Sequence, residues 1–242
     1  ISAGVHVVPH SAAASPYDCV VSVLGQVVAF AKLVPRFVWL FVFARRTTLS
    51  TSALVAAALR RISSVIPVIV ASAEKARSLR TRPVWVAGAG ENTSHSSMLE
   101  MGDFTATSAA SSAAAAYKMA GMGPGEMELA MIYDSFTITA AITAEMLGLT
   151  PRGEGPSLWA DGKAGPGGSG IPVNTNGGGL SFSHSGMYGM MLLVEAYRQL
   201  SGTAEDGVNG IAGKQTDAKT AVVNGTGGNL STTGTLVLVA DD

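Results

Sequence analysis

This chain has little cysteine and almost no net charge. Its 242 residues include one cysteine, Cys19, so no disulfide can form within the chain and no cysteine-rich metal site can be built. Sixteen Lys and Arg residues nearly balance 17 Asp and Glu residues, for a net charge of -1. This balance offers no electrostatic case for binding nucleic acid, and the cysteine count fits a cytoplasmic location.

Acidic residues are missing altogether between positions 19 and 73. The charged residues of that stretch are all basic: Lys32, Arg36, Arg45, Arg46, Arg60 and Arg61. A membrane span over residues 19–44 is not expected, because Lys32, Pro35 and Arg36 cut the apolar run below the roughly 18 residues that a span needs. Residues 1–65 therefore stay unassigned, as a basic apolar segment, and a disturbed or inserted stretch is one hypothesis for them.

The sequence also lacks the residue patterns typical of a metal site or a phosphate-binding loop. The four histidines (His6, His10, His95 and His184) share no ligand spacing, and Asp134 is the only carboxylate close to a motif. No Gly-Lys-Ser/Thr follows the glycines at 177–179, which argues against a phosphate loop. We expect neither a metal centre nor a permanently bound cofactor.

Apolar periodicity from residue 65 onward predicts strands alternating with helices. Strands are expected at 65–71, 83–88, 129–133, 222–224 and 235–239, and helices at 72–80 (capped by Ser72), 108–119, 137–147 and 190–200. Gly88 to Asn92 is expected to be a loop. The alternation predicts an α/β fold, with a sheet covered by helices, for residues 66–242.

Three consecutive glycines follow Asn174-Thr-Asn176 and exclude a regular helix or central strand at that point. The pattern indicates backbone that lies close to a ligand. His184 comes shortly afterwards, just before the apolar helix predicted at 190–200. A position near a helix N-terminus favours anions and developing negative charge.

The run Asn174-x-Asn176-Gly177-Gly178, followed by His184, resembles the loop of the thiolase superfamily that carries the active-site histidine. Ile132-Tyr-Asp-Ser-Phe136 is similar to the Asn-Glu-x-Phe motif of thiolases, and Val223-Asn-Gly-Thr-Gly-Gly228 to their final glycine-rich loop. The detail of Tyr-Asp-Ser-Phe and of His-x-Gly-Met-Tyr-Gly most resembles the lipid-transfer-protein branch, related to sterol-carrier-protein thiolases. Some members of that branch are side-chain-cleaving aldolases.

The resemblance implies a thiolase-like layered fold, a mixed sheet covered by helices, of which this chain carries only the C-terminal half. It implies catalytic roles for His184, Tyr188 and Tyr133. It places substrate-binding groups at Asn174, Asn176, Gly177, Gly178, Asn224, Gly225 and Gly227.

Each of these roles has a structural alternative. His184 could be a hydrogen-bonded histidine at a helix start, Tyr188 a core aromatic residue, and the glycines after Asn224 a turn between edge strands. A tyrosine with an ordinary pKa near 10 is a poor base at neutral pH, so a base role for Tyr133 or Tyr188 requires a site that lowers its pKa.

The absence from this chain of two cysteines found in thiolases decides which reaction the resemblance favours. Thiolases carry a proton-shuttling cysteine near the position of Val223 or Asn224, and their acylated cysteine would belong to the other half. We therefore expect retro-aldol cleavage of a 3-hydroxyacyl-CoA with a steroid or fatty side chain. The alternatives are a Claisen-type acyl-CoA acyltransferase and a non-catalytic lipid or acyl-CoA binding module.

The resemblance also implies partners. Coenzyme A would enter only as part of the acyl-CoA substrate. A homodimer is expected, together with a small OB-fold protein that carries a zinc ribbon.

Overall fold

The computed structural model describes residues 68–165, 167–182, 188–204 and 214–241. In these ranges the strands are β1 (Val84–Thr93), β2 (Leu129–Ile132), β3 (Thr220–Gly227) and β4 (Thr232–Ala240). The helices are α1 (Ala73–Arg77), α2 (Ala109–Ala120), α3 (Thr137–Met146), α4 (Gly179–Phe182) and α5 (Tyr188–Ser201). The predictions for residues 1–65 fall outside the described residues.

The four strands form one mixed sheet in the order β1-β4-β3-β2. β4 runs antiparallel to both β1 and β3, whereas β2 runs parallel to β3. It follows that β1, β2 and β3 all run in the same direction, so their carboxyl ends lie at one edge of the sheet. This edge carries the motifs around Tyr133 and Asn224.

Helices cover both faces of the sheet, as the sequence predicted. Successive residues of a strand point to opposite faces, so Val222 faces one helix layer and Val223 the other. The first layer contains α2 and α3, which contribute Ala113, Ala116, Tyr117 and Ala144 to the core. The second layer is α5, which contributes Leu192, Ala196 and Leu200. The α/β class and the layered arrangement are confirmed.

Helix boundaries agree closely with the local signals in the sequence, except that α1 ends at Arg77 rather than at the expected Arg80. The Ser72 hydroxyl accepts a hydrogen bond from the Lys75 amide at 3.3 Å and caps α1. Gly121 ends α2 in the left-handed conformation with φ 67°, and Gly148 follows α3 with φ 73°. The helix expected at 190–200 begins two residues earlier, at Tyr188.

The predicted loop from Gly88 to Asn92 is wrong, because β1 continues through it to Thr93. The glycines there serve a different purpose. A Cβ atom added at Gly88 would overlap the carbonyl oxygen of Ala116, and one added at Gly90 would overlap that of Ser112. Glycine in this strand allows the backbone of α2 to approach β1 closely.

Two more predictions need correction. The buried strand expected at 65–71 is not found in residues 68–71, where Ile69 is 64% exposed and no described segment supplies a pairing partner. The strand expected at 222–224 is found but runs on to Gly227, through most of the glycine-rich loop that the resemblance placed at 223–228, because Asn224 and Gly225 pair with Thr235 and Gly234 of β4. Among the described residues, no helix combines the length and apolarity required to cross a membrane.

Candidate active site

The carboxyl end of β2 is held by the side chain of Asn174. Its Oδ1 accepts the Ile132 amide at 2.8 Å, and its Nδ2 donates to the Ile132 carbonyl at 2.9 Å. The side-chain amide thus replaces a neighbouring strand at the point where the sheet ends. Asn174 itself has a positive φ of 49°, a conformation that asparagine tolerates better than most residues do. Its role in the described structure is to fix the strand end that presents Tyr133.

The glycine-rich turn wraps around the carboxylate of Asp134. The Gly179 amide donates to Oδ1 at 2.7 Å and the Leu180 amide to Oδ2 at 3.3 Å. A Cβ atom at Gly178 would overlap Oδ2, and Gly177 and Gly178 have φ values of 93° and 74°. Both glycines are therefore required for the turn to close on the carboxylate.

Asp134 holds the glycine-rich turn, a role that the sequence analysis did not assign. It is 5% exposed and receives backbone amides at the start of α4. The available signal was a carboxylate directly after a buried strand, in the same motif as Tyr133. What the sequence could not supply was its partner, which lies 45 residues further along the chain.

Tyr133 and Tyr188 form an aromatic pair at this edge. Their ring centroids lie 5.7 Å apart, and the planes meet at 72° in an edge-to-face arrangement. Tyr188 is 3% exposed, while Tyr133 is half-buried and lies nearer to solvent. The Tyr188 hydroxyl donates to Asn176 Oδ1 at 3.3 Å. The structure therefore brings together three of the predicted site residues.

Burial sets the ionisation of both phenols. It raises the pKa of Tyr188 to about 12, with a further contribution from the negative charges of Asp134 and Glu195. The pKa of Tyr133 is also raised, mainly by burial and then by the Asp134 carboxylate. The condition for a tyrosine base, a lowered pKa, is not met by the described residues. Both tyrosines are neutral hydrogen-bond donors at physiological pH.

His184 lies outside the described residues, and its catalytic role stays a prediction. Its neighbours along the chain are described: α4 ends at Phe182 and α5 begins at Tyr188. Both helices take part in the arrangement around Asp134 and Tyr133.

The main chain and the side chain of Asn224 have different partners. Its main-chain oxygen accepts the Tyr133 amide at 3.0 Å, which ties the two motifs together. Its side chain is fully buried on the α2 face, where Nδ2 donates to the hydroxyls of Thr233 at 3.0 Å and Thr235 at 2.8 Å. The side chain thus points away from the tyrosine pair, and substrate binding at Asn224 stays a prediction for its main chain alone.

The two remaining predicted glycines have different surroundings. A Cβ atom at Gly225 would be 3.9 Å from the Cα atom of Gly189, so Gly225 lies against the first turn of α5, beside the tyrosines. Gly227 is the last residue of β3 and is exposed. Substrate binding at either glycine stays a prediction.

Comparison with known proteins identifies the family. The family described as thiolase C-terminal domain-like matches residues 90–240, which include β1 from Gly90 onward, the Asp134 turn, α5 and the closing strands. The chain belongs to the thiolase family. The match covers more than half of the sequence and contains every residue of the candidate site.

Two relatives of this thiolase domain are named for different reactions. It is 30% identical over 159 residues to the 17-hydroxy-3-oxo-4-pregnene-20-carboxyl-CoA lyase of Mycobacterium tuberculosis, covering 60% of this chain and 38% of the relative. It is 32% identical over 163 residues to an acetyl-CoA acetyltransferase of Methanothermobacter thermautotrophicus, covering 66% and 42%. The chain thus spans about two fifths of the length of these curated relatives.

A solved structure, that of the Ltp2-ChsH2(DUF35) aldolase, has the same fold. It matches with a TM-score of 0.59 and 28% identity, over 70% of this chain and 42% of the matched chain. Similarity to the lipid-transfer-type aldolases within the thiolase family is thereby confirmed in both sequence and structure.

Proposed function

We propose that this thiolase domain belongs to an enzyme that cleaves 3-hydroxyacyl-CoA thioesters by a retro-aldol reaction. The observation that carries the proposal is the pair of neutral phenols, Tyr133 and Tyr188, at the edge of the sheet where β2 and β3 end. The relatives support the same class of reaction, since one is named as a lyase of a steroid carboxyl-CoA and another as an aldolase.

The proposed cleavage needs no oxidant or metal ion to balance. A base removes the proton from the 3-hydroxyl oxygen, and that oxygen forms a carbonyl with C3 as the bond between C2 and C3 breaks. The electron pair of the broken bond becomes the enolate of the thioester. A donor then delivers a proton to C2, which yields a shorter acyl-CoA and a ketone or aldehyde.

Raised pKa values suit the phenols to donation rather than to proton removal. Tyr133, which is nearer to solvent, would meet the substrate, and Tyr188 would stand behind it with its hydroxyl oriented by Asn176. Donors aimed at a developing enolate stabilise it and can protonate it. His184 is then the candidate for the base that takes the hydroxyl proton.

A Claisen mechanism is less well supported by this half of the fold. The positions that correspond to the proton-shuttling cysteine of thiolases, Val223 and Asn224, lie in β3 and carry no thiol. The only cysteine of the sequence is Cys19. The acylated cysteine of a thiolase would belong to the other half, so the shuttle position is the difference that this domain offers.

The proposal includes coenzyme A and two kinds of protein partner. Coenzyme A would be present as part of the substrate, and a homodimer is proposed for the complete enzyme. The name of the similar solved structure pairs its aldolase with a second protein, ChsH2(DUF35). We propose a comparable protein partner, a small OB-fold protein with a zinc ribbon, for this enzyme.

The test is turnover of a 3-hydroxyacyl-CoA, followed by mass spectrometry of both products. The assay uses the complete natural polypeptide with any subunit that copurifies. Tyr133→Phe should lower kcat about 100-fold with little change in KM, since the lost hydroxyl acts mainly in the transition state. Tyr188→Phe should also lower kcat, because it removes the hydrogen bond to Asn176 that places the ring beside Tyr133.

Tyr117→Phe is the matched control. Tyr117 is also buried, its hydroxyl donates to the Leu147 carbonyl at 3.0 Å, and its pKa is likewise raised to about 12 by burial, but it lies on the opposite face of the sheet. Full activity of Tyr188→Phe together with inactivation by a cysteine-alkylating reagent would favour the acyltransferase. Tight acyl-CoA binding without turnover would favour the binding module.

A further inference from the structure

Glu195 is a buried carboxylate on α5, seven residues after Tyr188 and on the same side of the helix. It is 2% exposed, so it depends on protein groups to balance its charge. The Lys214 ammonium lies 3.1 Å from Oε2, and the amide of Gln199 donates to Oε1 at 3.1 Å. The Lys214 side chain is itself only 18% exposed, which leaves the ion pair largely out of water.

The third partner of Glu195 is Thr175, which belongs to the Asn-Thr-Asn motif of the candidate site. The Thr175 hydroxyl donates to Oε1 at 2.8 Å and accepts from Gln199 at 3.0 Å. Its orientation is therefore fixed by one donor and one acceptor, both on α5. Thr175 is the middle residue of the Asn-Thr-Asn motif, and it is buried as well.

Three successive side chains of that motif hold three different parts of the fold. Asn174 binds the end of β2, Thr175 binds the middle of α5, and Asn176 accepts the Tyr188 hydroxyl at the start of α5. Asn176 also accepts the Gly178 amide at 3.0 Å, so one oxygen serves both the glycine turn and the tyrosine. A shift of Thr175 would displace that oxygen relative to the phenol.

Stability alone does not account for an ion pair at this place. Apolar residues of similar volume often hold a helix as well as a buried ion pair does, and what polar groups can add is a defined position. The Glu195 charge also contributes to the raised pKa of Tyr188, so it acts on the phenol at the site.

We propose that Glu195, held by Lys214, is a positioning residue that acts through Thr175 to fix the Asn176 oxygen against the Tyr188 hydroxyl, and thereby places the Tyr188 ring that packs against Tyr133, without contacting the acyl-CoA. This proposal rests on the proposed retro-aldol function. The role is one of placement, since Glu195 is buried and lies seven residues after Tyr188 along α5.

The experiment labels the protein with 3-fluorotyrosine and follows the fluorine NMR resonance of Tyr188, assigned with Tyr188→Phe. Thr175→Val replaces the hydroxyl by a methyl group, and Glu195→Gln removes the charge and turns one of the two acceptor oxygens into a donor. Both should move the Tyr188 resonance and lower kcat about 10- to 100-fold, while KM stays within about twofold. Lys214→Met should also move the resonance and lower kcat. Lys214→Arg, which keeps the charge, should retain the native resonance and rate.

The matched control is Glu145→Gln. Glu145 lies on α3, on the opposite face of the sheet, and it also holds a loop, accepting the Gly155 amide at 2.9 Å. It should leave the Tyr188 resonance and kcat unchanged. An unmoved resonance in Thr175→Val would overturn the positioning role whatever the activity, and so would an equal shift in Glu145→Gln.

The same measurements separate this role from the reaction itself. A native protein without lyase activity would refute the proposed function, and the fluorine resonance would still decide whether Glu195 positions Tyr188. Should Glu195→Gln fail to fold, Thr175→Val and the two Lys214 variants test the same positioning role.

Discussion

Asp134 provides the sharpest test of how the glycine turn is held. Replacing it by Asn keeps the size and shape of the side chain but removes the charge. Oδ1 could still accept the Gly179 amide, whereas the new amide nitrogen would face the Leu180 amide, so that two donors would meet. Rotating the Asn side chain would only exchange which of the two amides is left without an acceptor.

The magnitude follows from the burial of the carboxylate. Asp134 is 5% exposed, so water cannot replace a lost bond. Hydrogen bonds to charged groups contribute about 1.5–3 kcal/mol each, against about 1 kcal/mol for neutral ones. Losing one such bond and weakening the other predicts that Asp134→Asn lowers the free energy of unfolding by about 2–3 kcal/mol.

Urea unfolding, followed by circular dichroism, measures this difference. Asp103→Asn is the matched control, because Asp103 also accepts a backbone amide, that of Thr105 at 2.8 Å, but does so at the protein surface. Its unfolding transition should move only slightly. A loss below about 0.5 kcal/mol in Asp134→Asn, or one no larger than that of Asp103→Asn, would show that the carboxylate does not hold the turn.

Two other predictions concern packing and pH. Gly90→Ala should destabilise the fold by about 1–3 kcal/mol, because its Cβ would overlap the Ser112 carbonyl, whereas Gly102→Ala, with open space around it, should not; equal thermal stability of the two variants would contradict the close contact. Burial raises the pKa of both Tyr117 and Tyr188 to about 12, so the unfolded chain loses these protons first and stability should fall between about pH 10 and pH 12. Replacing either tyrosine by Phe should make that fall less steep in urea titrations across this range, and an unchanged slope would refute the assignment.

Local signals were sufficient for most helix boundaries and for the layered α/β class. Ser72 and Gly121 act within one turn of the chain, so their effect on α1 and α2 is set by neighbours in sequence. The Asn-Gly-Gly motif likewise identified the turn beside Tyr133 and Tyr188. Such a turn depends on backbone conformations that glycine and asparagine adopt more easily than other residues.

Glycine in a strand was the point at which local reasoning failed. Gly88 and Gly90 look like loop residues in sequence, but they lie in β1 because the backbone of α2 crosses them at close range. That helix begins 19 residues after Gly90 (109 − 90 = 19). Only the packing of helix on sheet shows whether a glycine marks a turn or a close approach.

By itself, the sequence determined the order and type of most elements, since these follow from periodicity, capping and glycine within a few residues. Its resemblance to thiolases indicated Tyr133, Tyr188 and Asn176, but not Asp134. Only the tertiary structure decided which way each side chain points and what it contacts. The closing of the sheet turned the Asn224 side chain away from the tyrosines, brought Asp134 to a turn 45 residues later, and buried Glu195 beneath Thr175. The protonation of Tyr188 was decided there too, because burial and neighbouring charges exist only once distant segments have packed together.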